Sequence, residues 1–424
     1  MSRAIVTDSA AFCDQVASAI RAIPKRTPSA AFQAVLFYTD DSNRIRVAAG
    51  GPTGFVDRDV IGARPLDLEP VCLAIDAGRF LSAARSFRLD DWTIEPNPQD
   101  PGAVLASGRT RFTLGGVTPE AHPLHPDQRQ AGGSASPVYR AGFPFADTLI
   151  QAGLRAATAT DPKAYRYALA GVLIDRDDSG EEFHVVGTDG ARLVRDRVAT
   201  GGPVADWVDP ERPVVVEPGL FRLAAGVVPP DGPLELTTDG TSFVELQSLG
   251  NLVRAGLVEG RFAPWRAVLE KAAGTPVLAI TDDEDRGRLV EAVRLAAITC
   301  DRSMQRDALL VEIAGDDRQH WVRFRNRAER GESLVTFAAT AAGPATRPAA
   351  LVISADALLW GLEQIGGPFW WETDGVHSRF STPDGGRDVL VGGYTDPGYS
   401  GIGEQDPKSL GLGLPADAEP VEVS

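Results

Sequence analysis

Six segments of the chain carry apolar residues at three-to-four spacing, as a helix with one buried face requires. They recur at a nearly constant interval. They open at or just after Asp8, Asp76, Pro144, Glu217, Thr281 and Ser354, so successive starts lie 64 to 73 residues apart. In order they read FCDQVASAIRAI, AGRFLSAARSF, PFADTLIQAGLRAA, PGLFRLAAGVV, DDEDRGRLVEAVRLAAI and ADALLWGLEQI. Each follows a β-rich run (AIVTD, PVCLAID, PVYRAGF, RPVVVEP, TPVLAIT, AALVISA) and precedes two or three alternating strands separated by turn residues. The unit is therefore β-α-β-β(-β), used six times. A period this long suits duplicated half-domains better than a solenoid, so pairing the units predicts an α+β protein of three similar domains.

Linker composition sets the expected limits. Ala121–Pro137 is rich in Pro, Gly, Ser and Gln, and Leu269–Pro276 reads as a shorter connection. Beyond Gly393 the chain has Gly, Pro and acidic residues without periodicity. The expected domains are 1–130, 137–268 and 275–395, with a flexible tail over 396–424.

The 424 residues include 42 Lys and Arg against 58 Asp and Glu, a formal charge of −16. This excludes a chain that is basic throughout, but not a local basic surface. No apolar run approaches the roughly 20 residues of a membrane span, and the start, MSRAIVTDSAAF, lacks the pattern of a secretory signal. A cytoplasmic protein without a membrane partner is expected. Cys13, Cys72 and Cys300 are too far apart for a local disulfide framework or CxxC knuckle and read as reduced, buried residues.

Motifs for chemistry are absent. There is no GxxxxGK[ST], HExxH or GxSxG, so neither catalytic residues nor a cofactor or metal is assigned. His122 and His125 sit three apart in the first linker and read as solvated. The run Asp282–Asp285 resembles a hard-metal cluster, but carboxylates in the first turn of a helix also cap it and complement its dipole. The residues alone leave open a metal-dependent enzyme or ligand-binding protein built on repeated α/β units, and a monomeric scaffold.

Charge is unevenly spread. Arg21, Lys25 and Arg26 end the first helix, Arg79, Arg85 and Arg88 lie on the second, and Lys163, Tyr165, Arg166 and Tyr167 follow the third as a basic-aromatic cluster. The fifth helix offsets its arginines with an acidic start, and the sixth has no basic residue.

Four stretches carry a family resemblance: YRYALAGVLIDRDDSGEEFHVVGTDGARLV (165–194), SGRTRFTLGGVTPEAHP (107–123), VEGRFAPWRAVL (258–269) and LAAITCDRSMQRDALLVEI (295–313). In order and spacing they resemble the bacterial sliding clamps, the β subunit of DNA polymerase III. The resemblance implies a DNA clamp fold: three domains of duplicated units, closed head-to-tail as a homodimer into a ring with helices lining the hole. It implies a non-enzymatic processivity factor of DNA replication, nucleoid-associated, that encircles duplex DNA without sequence preference and tethers polymerase and clamp loader through linear peptides. By position, Lys25, Arg26, Arg79, Tyr165, Arg166 and Tyr167 would meet DNA, and the charge pattern adds Arg21 and Arg85 to that surface. Leu169, Thr188, Gly190, Arg192, Leu193, Ala263, Val268, Val389, Leu390 and Val391 would form the partner-peptide pocket. The chain departs from the family at Ala191, at Ala263-Pro264 and at Gly392-Gly393-Tyr394, which bears on peptide specificity.

Overall fold

All six predicted segments are helices in the computed structural model, which describes residues 2–393 apart from 88–90, 128–138, 165–167, 205–206, 208–213, 301–307, 316–318, 329–330 and 341–348. They span Ser9–Ile20, Ala77–Ala84, Ala146–Ala157, Gly219–Val227, Asp283–Ala297 and Ala355–Ile365. Four open on the capping residue that the sequence offers: the side chains of Asp8, Asp76, Asp282 and Ser354 each accept a backbone N–H three residues on. Three strands follow each of these helices, with a fourth, the short Ala63–Pro65, added in the first copy, so β-α-β-β-β is the common unit of all six copies.

The copies are joined in pairs by exchange of their leading strands. Ala4–Val6 of the first copy pairs antiparallel with Trp92–Pro96 of the second, whose own leading strand, Cys72–Asp76, pairs with Ala34–Thr39 of the first. Tyr139–Phe143 pairs with Leu234–Thr238, and Val214–Val216 with Val172–Arg176. Thr275–Ile280 pairs with Phe369–Thr373, and Ala349–Ser354 with Ala308–Gly315. A copy alone would leave its first post-helix strand with an open edge and, outside the first copy, where Ala4–Val6 also pairs with Ala63–Pro65, its leading strand without a ladder, so the pair is the smallest unit that satisfies its backbone. The architecture is α+β, made of three such pairs.

The chain divides into two units, the first Met1–Val185 with Val198–Phe262, the second Val186–Arg197 with the chain from Ala263 on. In the first, thirteen antiparallel strands form one sheet. The first and second pairs meet where Asn251–Gly256 lies against Gly54–Asp59 with Val253 opposite Val56. Arg46 reinforces that junction, donating to Asp57 at 3.0 Å, Asp59 at 2.5 Å and the Gly250 carbonyl at 2.7 Å. Phe12, Phe37, Phe80 and Trp92, all fully buried, form the aromatic centre of the first pair; Phe12 meets Trp92 edge-on at 5.4 Å and stacks on Phe37 at 5.9 Å.

Helices cover the sheet as a row. Ser9–Ile20 packs between Ala77–Ala84 and Gly219–Val227, and the latter also packs on Ala146–Ala157. Gly153 permits the last contact, because a Cβ there would lie 2.1 Å from the Phe221 ring. In the second unit Arg192–Ala199 pairs with Arg387–Gly392, which continues through His377–Ser381 and Phe369–Thr373 to Thr275–Ile280. A separate sheet runs Gly331–Thr340, Gln319–Ala328, Ala308–Gly315, Ala349–Ser354, and the helices Asp283–Ala297 and Ala355–Ile365 pack together.

Two expectations are corrected. His122 is fully buried rather than solvated, its Nε2 3.2 Å from the Ala34 carbonyl and its Nδ1 accepting the Leu124 N–H, because Leu124 packs with Leu36, Ala48 and Ala74 and draws the segment onto the sheet. Leu269–Pro276 is no linker: Trp265–Ala272 is an additional helix, buried through Trp265, Leu269 and Ala272, and Thr275 already begins a strand. The expected tail lies outside the described residues. Among those described, no helix is long and apolar enough to cross a membrane.

Candidate nucleic-acid interface and peptide site

The four-helix row carries the basic residues singled out in the sequence. Arg21 is the C-cap of the first helix, with Lys25 and Arg26 just beyond it; Arg79 is the third residue of the second helix and Arg85 its C-cap. All five are exposed, and none enters an ion pair among the described residues. Arg21 and Arg85 complement the negative end of their helix dipoles, which is reason enough for a cation there. Arg79 has no such reason. It sits in the first turn, where the dipole disfavours positive charge, so its charge serves something other than the helix. Arg88, Tyr165, Arg166 and Tyr167 lie outside the described residues.

The second unit is different. On Asp283–Ala297, Arg286 donates to Asp283 at 3.2 Å and Arg288 to Asp285 at 3.1 Å, while Arg294 lies 3.4 Å from Glu363 of the neighbouring helix. Asp282 caps the helix, so the acidic run is spent on the helix start and on neutralising arginines three residues ahead. No group of three or more potential metal ligands occurs among the described residues.

Of the ten pocket candidates, Leu169 belongs to the first unit and nine to the second. Ladder register brings two sets together: Arg192 lies opposite Val391, Leu193 opposite Leu390 and Val194 opposite Val389. Leu193, Val389, Leu390 and Val391 are at most 4 % exposed. They form an apolar floor rather than a surface. Gly361 lets the last helix settle on that floor, since a Cβ there would lie 2.8 Å from Val391. Val268, 39 % exposed, and half-buried Ala263 belong to the Trp265–Ala272 segment, which packs on His377–Ser381. Arg192 is held by Asp189, to which its Nε donates at 2.8 Å, and its guanidinium lies 4.9 Å over the Trp360 ring. Trp360 was not anticipated; its only sequence signal is a single aromatic on an otherwise aliphatic helix.

Thr188 and Gly190 have a role that the sequence states three times. Thr-Asp-Gly occurs at 188–190, 238–240 and 373–375, each at a hairpin turn. In every copy the Thr hydroxyl donates to a carbonyl across the turn at 2.6–2.7 Å, the Gly N–H donates back to that hydroxyl at 3.0–3.1 Å, and the Gly has φ between +71 and +92°. Asp239 accepts the Ser242 hydroxyl and the N–H groups of Thr241, Ser242 and Phe243. Burial alone would raise its pKa, but these bonds outweigh burial and hold it below the usual carboxylate range. Asp374 is lowered in the same way, with His377 as donor. A depressed folded-state pKa stabilises above the unfolded value and is lost as pH falls through the folded one. Urea midpoints are therefore expected to fall as pH drops below about 4, and Asp239→Asn should flatten that dependence; an unchanged slope in the variant would remove Asp239 as its source.

No protein-family model and no curated protein matches the chain. Solved structures do. A DNA polymerase sliding clamp from Bacillus subtilis is 13% identical, with a TM-score of 0.76 over 93% of this chain and 99% of that one. The Pseudomonas aeruginosa sliding clamp bound to griselimycin is 17% identical, with a TM-score of 0.76 over 93% and 100%. The Helicobacter pylori β clamp bound to a DNA ligase peptide is 11% identical, with a TM-score of 0.73 over 93% and 100%. The chain has the sliding-clamp fold.

Proposed function

We propose that the chain is a DNA sliding clamp, a non-enzymatic processivity factor that encircles duplex DNA and tethers a replicative polymerase and its loader. The observation that carries this is the row of helices in the first unit, three of which, Ala77–Ala84, Ser9–Ile20 and Gly219–Val227, bring exposed cations that are unpaired among the described residues, while every copy of the repeat is committed to the clamp fold. A ring need not grip DNA: topology holds it, and cations that meet phosphates at any register allow sliding. The domain limits 1–130, 137–268 and 275–395 follow the paired copies, with the helix Trp265–Ala272 crossing the second limit. A place at the nucleoid follows from the partner.

Two open strand edges support ring closure by a head-to-tail homodimer. Gly331–Thr340 ends its sheet, and beside it Leu334, Leu295 and Ile298 are exposed. Thr110–Val117 pairs with Gly102–Ser107 through Thr110 to Gly115 and with Cys72–Asp76 only through Gly116 and Val117, which leaves the other edge of 110–115 open among the described residues. Pairing such edges between chains would satisfy both. Light scattering at micromolar concentration should report the mass of two 45.0 kDa chains; a single-chain mass would reject the ring and favour the monomeric scaffold.

The Helicobacter pylori relative is bound to a DNA ligase peptide, and the corresponding partner here is a linear apolar peptide lying over Arg192, Val268 and the floor of Leu193 and Leu390. Leu193 itself is a poor probe of that site, since a charge there would be buried in the sheet. Arg192, held over Trp360, is the position from which peptide contacts are best read.

A further inference from the structure

We infer that Arg222 is a further phosphate contact, and that duplex DNA is held by cations of Ala77–Ala84, Ser9–Ile20 and Gly219–Val227 in the first unit without a share from Asp283–Ala297 and Ala355–Ile365 in the second. The inference rests on the clamp reading and assigns its electrostatic work to particular side chains. Arg222 and Arg286 are each the fourth residue of their helices, Gly219–Val227 and Asp283–Ala297. Three residues earlier stands Asp283 for Arg286, which it binds, but Gly219 for Arg222. Arg222 is exposed and enters no ion pair among the described residues. Near a helix N-terminus its charge works against the dipole. Neither the helix nor a neighbour accounts for it.

Its surroundings suit a large, flat anion. Ala225 and Gly226 share its helix face and are exposed, so no bulk keeps a ligand's backbone from the helix. Arg21 from the adjacent helix reaches this face: its Nη1 lies 3.6 Å from where a Gly226 Cβ would stand. Arg58 braces the junction from the sheet, donating to Ser18 Oγ at 2.5 Å and to the Gly226 carbonyl at 3.3 Å, and so ties the two helices together. Arg79, Arg85, Arg21 and Arg222 thus lie on three successive helices of one row. In the second unit Arg286, Arg288 and Arg294 all face carboxylates, and the last helix offers only Asp356 and Glu363 as charged groups.

The test is binding of a short duplex oligonucleotide by fluorescence anisotropy over a series of salt concentrations, with wild type, Arg222→Ala and Arg294→Ala. Each phosphate contact adds about 0.9 to the slope of log K against log salt. Arg222→Ala should lower that slope by about 0.9, and Arg294→Ala should match wild type. A wild-type slope in Arg222→Ala, or an equal loss in Arg294→Ala, overturns the inference while the clamp reading stands. A wild-type protein that does not bind duplex at low salt overturns the inference, while retention on circular DNA tests the clamp reading separately.

Discussion

Replacing Asp388 with alanine is expected to destabilise the protein by about 3–5 kcal/mol, the cost of leaving a buried charge without its partner. Asp388 is fully buried and receives two arginines: Arg195 from the opposite strand, and Arg379, which donates at 2.9 and 3.1 Å. Next to it Arg387 donates to Asp196 at 2.7 Å. The two strands therefore carry Arg-Asp against Arg-Asp in antiparallel register, Arg195 opposite Asp388 and Asp196 opposite Arg387. A slip of one residue in one direction would oppose the two arginines and in the other the two aspartates, so the pairs fix register as well as hold it. Truncating Asp388 strands Arg195, which is nearly as buried. Urea unfolding reads the effect, and a combined Arg195→Met, Asp388→Leu protein should recover most of it, because an apolar pair of similar size replaces a buried ion pair at little cost. A loss under about 1 kcal/mol in Asp388→Ala would mean the pair is solvated and does not staple the strands.

The second large effect concerns DNA alone. Arg79→Glu with Arg85→Glu should reduce the salt slope of duplex binding by about 1.8, two phosphate contacts at about 0.9 each, and replace attraction by repulsion. Stability should change little, since both positions are exposed and unpaired among the described residues. At position 79 the exchange even favours the helix, because a carboxylate in the first turn complements the dipole. Weaker binding with an unchanged urea midpoint is the signature of a surface kept for a ligand. Unchanged binding at low salt would place the phosphate contacts elsewhere.

Much of the fold was legible because its evidence repeats. Six amphipathic segments at a steady interval, with Asp8, Asp76, Asp282 and Ser354 at their starts, gave helix positions to within a few residues. What periodicity could not show is which copy completes which sheet: the exchange of Ala4–Val6 and Cys72–Asp76 is a long-range pairing that no local pattern encodes. The Trp265–Ala272 helix was missed because a Lys, Ala and Gly ending looked like a connection, while its anchors Trp265, Leu269 and Ala272 were buried. His122 was misread for a similar reason, since Pro and Gly around it masked the apolar anchor at Leu124.

The candidate sites were less legible than the fold. Arg79 and Arg85 could be named from charge alone, but only geometry separates a free arginine from a neutralised one, as Arg222 differs from Arg286. Thr188 and Gly190 look specific when seen once. Seen at 238–240 and 373–375 as well, Thr-Asp-Gly is a hairpin device, and what distinguishes the first copy is Arg192 and its stack on Trp360.

The central claim is that the chain holds DNA by enclosing it. Loaded by a clamp loader onto nicked circular DNA and passed through a sizing column at a salt concentration that abolishes binding to a short duplex, the protein should travel with the circles. Cutting the circle once should release it. Equal retention on circular and linear DNA, or no retention on circles by a protein that does bind short duplex at low salt, would contradict the ring.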